Sequence, residues 1–131
     1  MNLASIEPAS GAATTVLIPV TEHGDMEPRF GRAPRVAVAT VVDGIVTTWR
    51  EYAVGWDAAH DAGTPGSHHA RIVRFLNDHR VDTIVAEHMG VGMRRVVDRM
   101  GIRLLTVPGG AARQAVSLAL ASAEAARKSP H

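Results

Sequence analysis

The apolar positions change period along the chain. Thr15-Val16-Leu17-Ile18-Pro19-Val20 is a continuous apolar run rich in β-branched residues, the pattern of a buried strand. Pro19 has no N–H to give a ladder, so it is expected near the strand end or at a bulge. Residues 21–34, TEHGDMEPRFGRAP, form a polar loop. Residues 35–42 and 45–52 then flank Asp43-Gly44, a strong signal for a two-residue hairpin. In the first arm Val36, Val38, Thr40 and Val42 share a face. The second arm, Ile45 to Tyr52, mixes Thr, Trp, Arg and Glu, as suits a half-exposed edge strand. Residues 54–66 read as a second long loop.

Beyond that loop the period becomes helical. Ser67 is the expected cap of a helix of about three turns. His69, Ile72, Val73 and Leu76 fall on one face of it. Asp82 to Ala86 is a buried strand that exits through Glu87-His88-Met89-Gly90. Met93, Val96, Val97 and Met100 repeat the helical spacing, with Gly101 where a C′ glycine belongs. Ile102 to Val107 is a strand, and Pro108-Gly109-Gly110 a turn. Ala112, Ala115, Val116, Ala119 and Ala123 line one face of a last helix. Residues 1–13 read as a loose leader, 14–127 as a single domain and 128–131 as a tail.

This order predicts a three-layer α/β/α fold. An initial hairpin makes the second strand antiparallel to the first and third, and strand–helix alternation then adds parallel strands. Right-handed crossovers place the fourth and fifth strands outward from the first, giving a mixed five-stranded sheet of order 3-2-1-4-5.

Composition narrows the function. The chain has 131 residues, a formal net charge of +1 and 4% aromatic residues. That balance argues against a broad electrostatic grip on nucleic acid or an anionic membrane, and leaves few platforms for base stacking. The absence of cysteine removes disulfides, thiolate-held zinc or iron–sulfur centres, and cysteine nucleophiles. No apolar run approaches the roughly 20 residues of a membrane span. MNLASIEPASGAA lacks the basic and apolar regions of a secretory signal, so the cytoplasm is the expected location.

Against zero cysteines stand seven histidines. In the expected topology the loops 21–34, 54–66, 87–90 and 108–110 all leave the sheet at its carboxyl edge, where open α/β sheets place ligands. His23, His60, His68, His69 and His88 then project toward that one edge. His79 ends a helix at the opposite edge, and His131 is in the tail. Two helix N-termini, near Ser67 and near Gly90-Val91-Gly92, bring free N–H groups and positive dipole ends there, and Arg29 and Arg32 add charge. Imidazoles, guanidiniums and open N–H groups suit an anionic metal–sulfide or metal–oxo cluster better than a simple phosphate. A single transition-metal ion is the other ligand that imidazole suits.

Other chemistry finds little support. Gly90-Val91-Gly92 lacks the third glycine of a dinucleotide fingerprint, and there is no phosphate-binding GxxxxGK[ST] or metalloprotease HExxH. Glu22, Asp25, Glu27, Asp57, Asp61 and Glu87 are edge carboxylates, but no acids pair within strand interiors as a two-metal nuclease requires. Ser117 lies mid-helix with no base in sequence, so a hydrolase triad is unsupported. Trp49 and Trp56 read as packing residues. Arg94, Arg95 and Arg99 read as a solvated helix face.

Several of these motifs together resemble a known family. The opening VLIPV strand, Phe30-Gly31-Arg32-Ala33-Pro34 leading into a strand, the Asp43-Gly44 hairpin, Val81-Asp82-Thr83-Ile84-Val85, Gly90-Val91-Gly92 and Gly101-Ile102 resemble the dinitrogenase iron–molybdenum cofactor biosynthesis domain, the NifX/NafY-like cluster carriers. The resemblance covers about residues 15 to 120. It implies a ribonuclease H-like fold of the same sheet order. It also implies binding or transfer of a metal–sulfur cluster of iron and/or molybdenum, without catalysis, between donor and acceptor proteins. Two positions depart from the family pattern. Arg29 stands where the family commonly has a histidine before the FGR run, and His88-Met89 replaces the glycine before the GxG loop.

The combined expectation is a small non-catalytic cluster carrier. Its ligands are His88, His69 and His68, then His60 and His23. Arg29, Arg32, Ser67 and Gly90 to Gly92 cradle the cargo. The competing expectation is a protein-interaction or regulatory module with no metal.

Overall fold

The computed structural model describes residues 13–128. The leader and tail expected at the ends fall, apart from Ala13 and Lys128, outside the described residues. Five strands form one sheet: β1 (Ala13–Val20), β2 (Arg35–Val42), β3 (Ile45–Ala53), β4 (Thr83–Ala86) and β5 (Arg103–Thr106). Its order is β3-β2-β1-β4-β5. β2 is antiparallel to β1 and β3, while β4 is parallel to β1 and β5. This is the expected mixed sheet.

The hairpin turns as its sequence requires. Asp43 and Gly44 take φ of 53° and 80°, the pair of positive values that matches the right-handed twist of the strands. β3 lies at the sheet edge and is the most exposed strand. Pro19 is the penultimate residue of β1, opposite Val36.

Four helices cover the sheet: α1 (Trp56–Ala62), α2 (Pro65–Asp78), α3 (Val91–Arg99) and α4 (Ala112–Lys128). Period-two alternation along the central strands divides the core in two. Leu17, Ile84 and Ala86 face Trp56, Ile72, Leu76, Met93 and Val97 of α1 to α3. Val16, Ile18, Val20 and Val85 face Ala112, Ala115, Val116 and Ala119 of α4. Alanines on the inner face of α4 let that helix lie close to the sheet, and Arg113 anchors it further, its guanidinium 4.6 Å from the Trp49 ring centre.

Three local expectations need correction. Residues 54–66 are not all loop, because α1 occupies Trp56–Ala62. Trp56 is 1% exposed and packs on Phe30 and Phe75 at 5.4 and 5.9 Å, so burial of this one large side chain supports a helix too short to show a periodic stripe. The cap of α2 is Thr64, not Ser67. Thr64 accepts from the Ser67 N–H, and the Ser67 hydroxyl accepts from the Thr64 N–H, a capping box with Pro65 at the first helical position. The helix thus starts early, and its buried stripe is His68, Ile72 and Leu76, with His69 and Val73 half-buried at its flank. α3 ends as expected, with Gly101 at φ +74°.

Phe30 is fully buried at the start of the FGR turn and touches Trp56. Phe30→Ala is expected to cost about 3–5 kcal/mol, whereas Ile45→Ala, at a side chain 66% exposed, should cost less than about 0.5 kcal/mol. Urea unfolding of the two variants beside the wild type measures the contrast.

Candidate functional site

The site is built on the loop between β1 and β2. This loop is long and polar, yet backbone hydrogen bonds hold it at both ends. The Met26 N–H donates to the Gly110 carbonyl at 2.8 Å, and the Ala112 N–H donates to Gly24 at 2.9 Å. Toward β2, Phe30–Arg32 forms a 3-10 turn. Here the Phe30 N–H donates to the His88 carbonyl at 3.2 Å, and Arg29 and His88 form an isolated parallel bridge. His68 Nε2 donates to the Gly31 carbonyl at 2.7 Å, joining α2 to the same turn. Its ring is 4% exposed. Donation from Nε2 places the lone pair of the neutral ring on Nδ1.

These ties leave a cleft of about 350 Å³ between the FGR turn, the first turns of α2 and α3, and the exit of β4. Arg29, Arg32, His68, His69, His88, Gly90 and Gly92 line it. Phe30, Gly31, Ile72 and Met93 complete the wall. Among the described residues no carboxylate lines the cleft, which is consistent with an anionic occupant.

The small residues shape the cleft. A Cβ on Gly92 would stand 3.1 Å from His69 Cε1, so glycine there lets the His69 ring lie against the first turn of α3. Gly90 is the N-cap of α3 and uses an extended backbone with no side-chain cap. The first N–H groups of the helix therefore stay available at the cleft. Arg29 is 65% exposed, and its Nε lies 3.9 Å from Glu27, too far for a firm ion pair.

Of the residues expected at this edge, His68, His69, His88, Arg29, Arg32, Gly90 and Gly92 meet in one cleft. The others do not line it. His23 is 79% exposed in the far part of the first loop, beside Glu22. Ser67 is occupied in the Thr64 capping box. Val91 points out and is 66% exposed. The backbone of His60 lies in α1, and its side chain is outside what the structure describes. Among the described residues no group of three or more His, Cys, Asp or Glu is gathered closely enough to hold a metal ion.

Sequence reasoning missed the Gly31 carbonyl, Ile72 and Met93. Only Met93 and Ile72 left a trace, as members of helical apolar stripes that happen to end at the cleft. The Thr-Pro-x-Ser pattern before His68 was the available signal for the true start of α2.

The family model for the dinitrogenase iron–molybdenum cofactor matches residues 13–122. The chain belongs to this family. Membership in the iron–molybdenum cofactor family points to a cofactor-binding or carrier role and to contact with proteins of cofactor biosynthesis. Solved structures share the fold at low identity. The apo form of the orange protein from Desulfovibrio gigas is 18% identical, with 86% of this chain and 91% of that one covered and a TM-score of 0.67. A candidate dinitrogenase from Methanocaldococcus jannaschii is 14% identical over 85% and 91%, with a TM-score of 0.61. A candidate NifB protein from Thermotoga is 20% identical over 85% and 88%, with a TM-score of 0.60. No curated protein matches the sequence. Among the described residues no helix is long and apolar enough to cross a membrane.

Adding a methyl group separates Gly90 from Gly92. Gly90 has nothing within 4 Å of an added Cβ, while at Gly92 the His69 ring must move by a few tenths of an ångström. Gly92→Ala should leave the melting temperature unchanged or slightly raised, since alanine loses less backbone entropy than glycine on entering a helix. It should also shift the His69 ring resonances in NMR spectra. Gly90→Ala should leave those resonances in place.

Proposed function

We propose that this chain is a non-catalytic carrier or scaffold for a metal–sulfur cluster of iron and/or molybdenum. The cargo is held in the cleft between the FGR turn and the first turns of α2 and α3. The observation that carries this reading is the make-up of the cleft: three imidazoles, two guanidiniums and a helix N-terminus, with no carboxylate among the described lining residues, in a chain of the cofactor family.

The chemistry of the donors supports a cluster over a bare ion. A metal–sulfide cluster brings its own anionic ligands, so it needs only one or two further nitrogens together with hydrogen-bond donors. A lone cation is held tightly by three or more protein ligands, and the described residues gather no such group, so a single ion would be bound more weakly. His68 Nε2 is already committed to Gly31, so coordination falls first to His88 and His69. Arg29 and Arg32 offset anionic charge, and the open N–H groups after Gly90 donate to sulfide or oxide. The cleft is open and imidazole is an exchangeable ligand, as a carrier that must hand its cargo from a donor protein to an acceptor requires. A single transition-metal ion is the smaller cargo the same imidazoles would take. No nucleophile paired with a base lines the cleft, which favours carriage over catalysis. The missing three-ligand group is also what favours the alternative, an interaction or regulatory module with no metal.

Apoprotein mixed without air with tetrathiomolybdate or with a preassembled iron–sulfur cluster should gain visible absorption and retain it through gel filtration. Colour eluting entirely with the small molecules would leave the metal-free module standing.

His88→Ala should weaken cargo binding by at least about tenfold, or about 1.4 kcal/mol. His79→Ala, on the C-terminal side of α2 away from the cleft, should change it by less than about twofold. Melting curves of both variants separate loss of a ligand from loss of fold. Protonated imidazole has no lone pair to offer a metal. Coordinated cargo should therefore leave on acidification, whereas tighter binding at low pH would mean that charged imidazole pairs with an anion.

A further inference from the structure

A second cavity, also of about 350 Å³, shares no lining residue with the first. It lies between the end of β3 and the outer face of α2, and is lined by Tyr52, Ala53, Val54, Trp56, Arg71, Arg74, Phe75 and Asp78. The chain has two Phe, two Trp and one Tyr, so three of its five aromatic residues meet here. Tyr52 and Phe75 stand edge to face at 5.5 Å, Trp56 meets Phe75 at 5.9 Å, and His79 stacks behind Phe75 at 4.2 Å. Packing of the core accounts for this aromatic floor. It does not account for the two guanidiniums above it. Arg71 and Arg74 are exposed, and neither makes a hydrogen bond or ion pair among the described residues. Among the described residues Asp78 is the one acid in the lining and pairs with neither, so the described lining carries a positive excess.

The groove borders the free side of β3, the edge strand of the sheet. An edge strand presents unpaired N–H and C=O groups to any extended chain laid beside it. No residue of β3 is fully buried: Val46, Trp49 and Tyr52 are half-buried and the rest are exposed.

We propose that β3 and this groove form a docking site for an extended segment of a partner protein, added as a sixth strand, with an apolar or aromatic side chain on the Tyr52–Trp56–Phe75 floor and an adjacent Asp or Glu held by Arg71 and Arg74. Main-chain hydrogen bonds to β3 give affinity, and the pocket with its two arginines selects the sequence. Arginine at i and i+3 of one helix face puts the two guanidiniums within reach of a single carboxylate or of two neighbouring ones. The site lies away from the cargo cleft, so a partner could remain docked while the cleft loads or empties.

A random twelve-residue peptide display library, panned against the apoprotein, tests this without any cargo. The expected result is enrichment of peptides in which Asp or Glu adjoins Phe, Tyr or Leu. Their affinity should fall at least about tenfold in Arg71→Ala/Arg74→Ala, and they should slow hydrogen exchange of β3 amides. His88→Ala should bind them as wild type does, which separates this site from the cargo cleft. Melting curves confirm that the double variant is folded, and Arg71→Lys/Arg74→Lys should recover part of the affinity. Enrichment of peptides without acids, affinity unchanged by the double alanine variant, no protection of β3, or no enriched peptide at all would each overturn the proposal.

Discussion

β1 is the strand on which the molecule is set. Val16 to Val20 are buried on both faces of the sheet, with Leu17 in one core and Val16, Ile18 and Val20 in the other. A strand buried on both faces must find hydrogen-bond partners on both edges, because unpaired peptide groups in that setting are costly. β2 supplies one edge, antiparallel and reached through the long loop 21–34, and β4 supplies the other in parallel. The parallel pairing then decides where function can lie. It brings the exits of β1 and β4 to the same edge, and with them the FGR turn and His88.

The cleft depends on how that first exit is held. A loop of this length has many conformations open to it, and closing it costs backbone entropy. Three kinds of contact offset that cost. The buried Phe30 ring packs on Trp56, the Phe30 N–H reaches the His88 carbonyl, and the His68 ring reaches the Gly31 carbonyl. Two of the histidines at the site are thus partly architectural: His88 through its backbone and His68 through its ring. Their side chains differ in consequence, since His88 is exposed at the rim while His68 is enclosed.

Charge is arranged to match. The chain as a whole is nearly neutral, with a formal net charge of +1. Even so, the cleft gathers guanidiniums and a helix N-terminus without a lining carboxylate, and the groove beside β3 gathers two more guanidiniums against one acid. Local fields of this kind favour ligands of one sign while the chain stays weakly charged overall. The cleft faces the carboxyl edge and the groove lies beside β3, and the two share no lining residue.

Much of this was legible along the chain. Alternation and β-branching marked the five strands, Asp43-Gly44 marked the hairpin, and strand–helix order led to the sheet order, because each of these signals is local or follows from chain-crossing rules. The same order brought His68, His69, His88, Arg29 and Arg32 to one edge before any side chain was placed. What only the tertiary structure decided is which of these residues share a cleft. His23 and His88 both lie in loops at that edge, yet one stands in solvent and the other lines the cleft, because the ties that place the first loop include hydrogen bonds from Met26 to Gly110 and from Phe30 to His88, residues distant in the chain. α1 escaped notice for a related reason: it is held by one buried tryptophan and by the Gly55 and Trp56 N–H bonds to Pro34 and Ala33, not by a repeating stripe. The exchange of His69 for His68 as the enclosed ring has the same origin. Helix phase is a matter of which residue meets the neighbouring turn, and the carbonyl that takes the His68 proton belongs to Gly31, thirty-seven residues earlier in the chain.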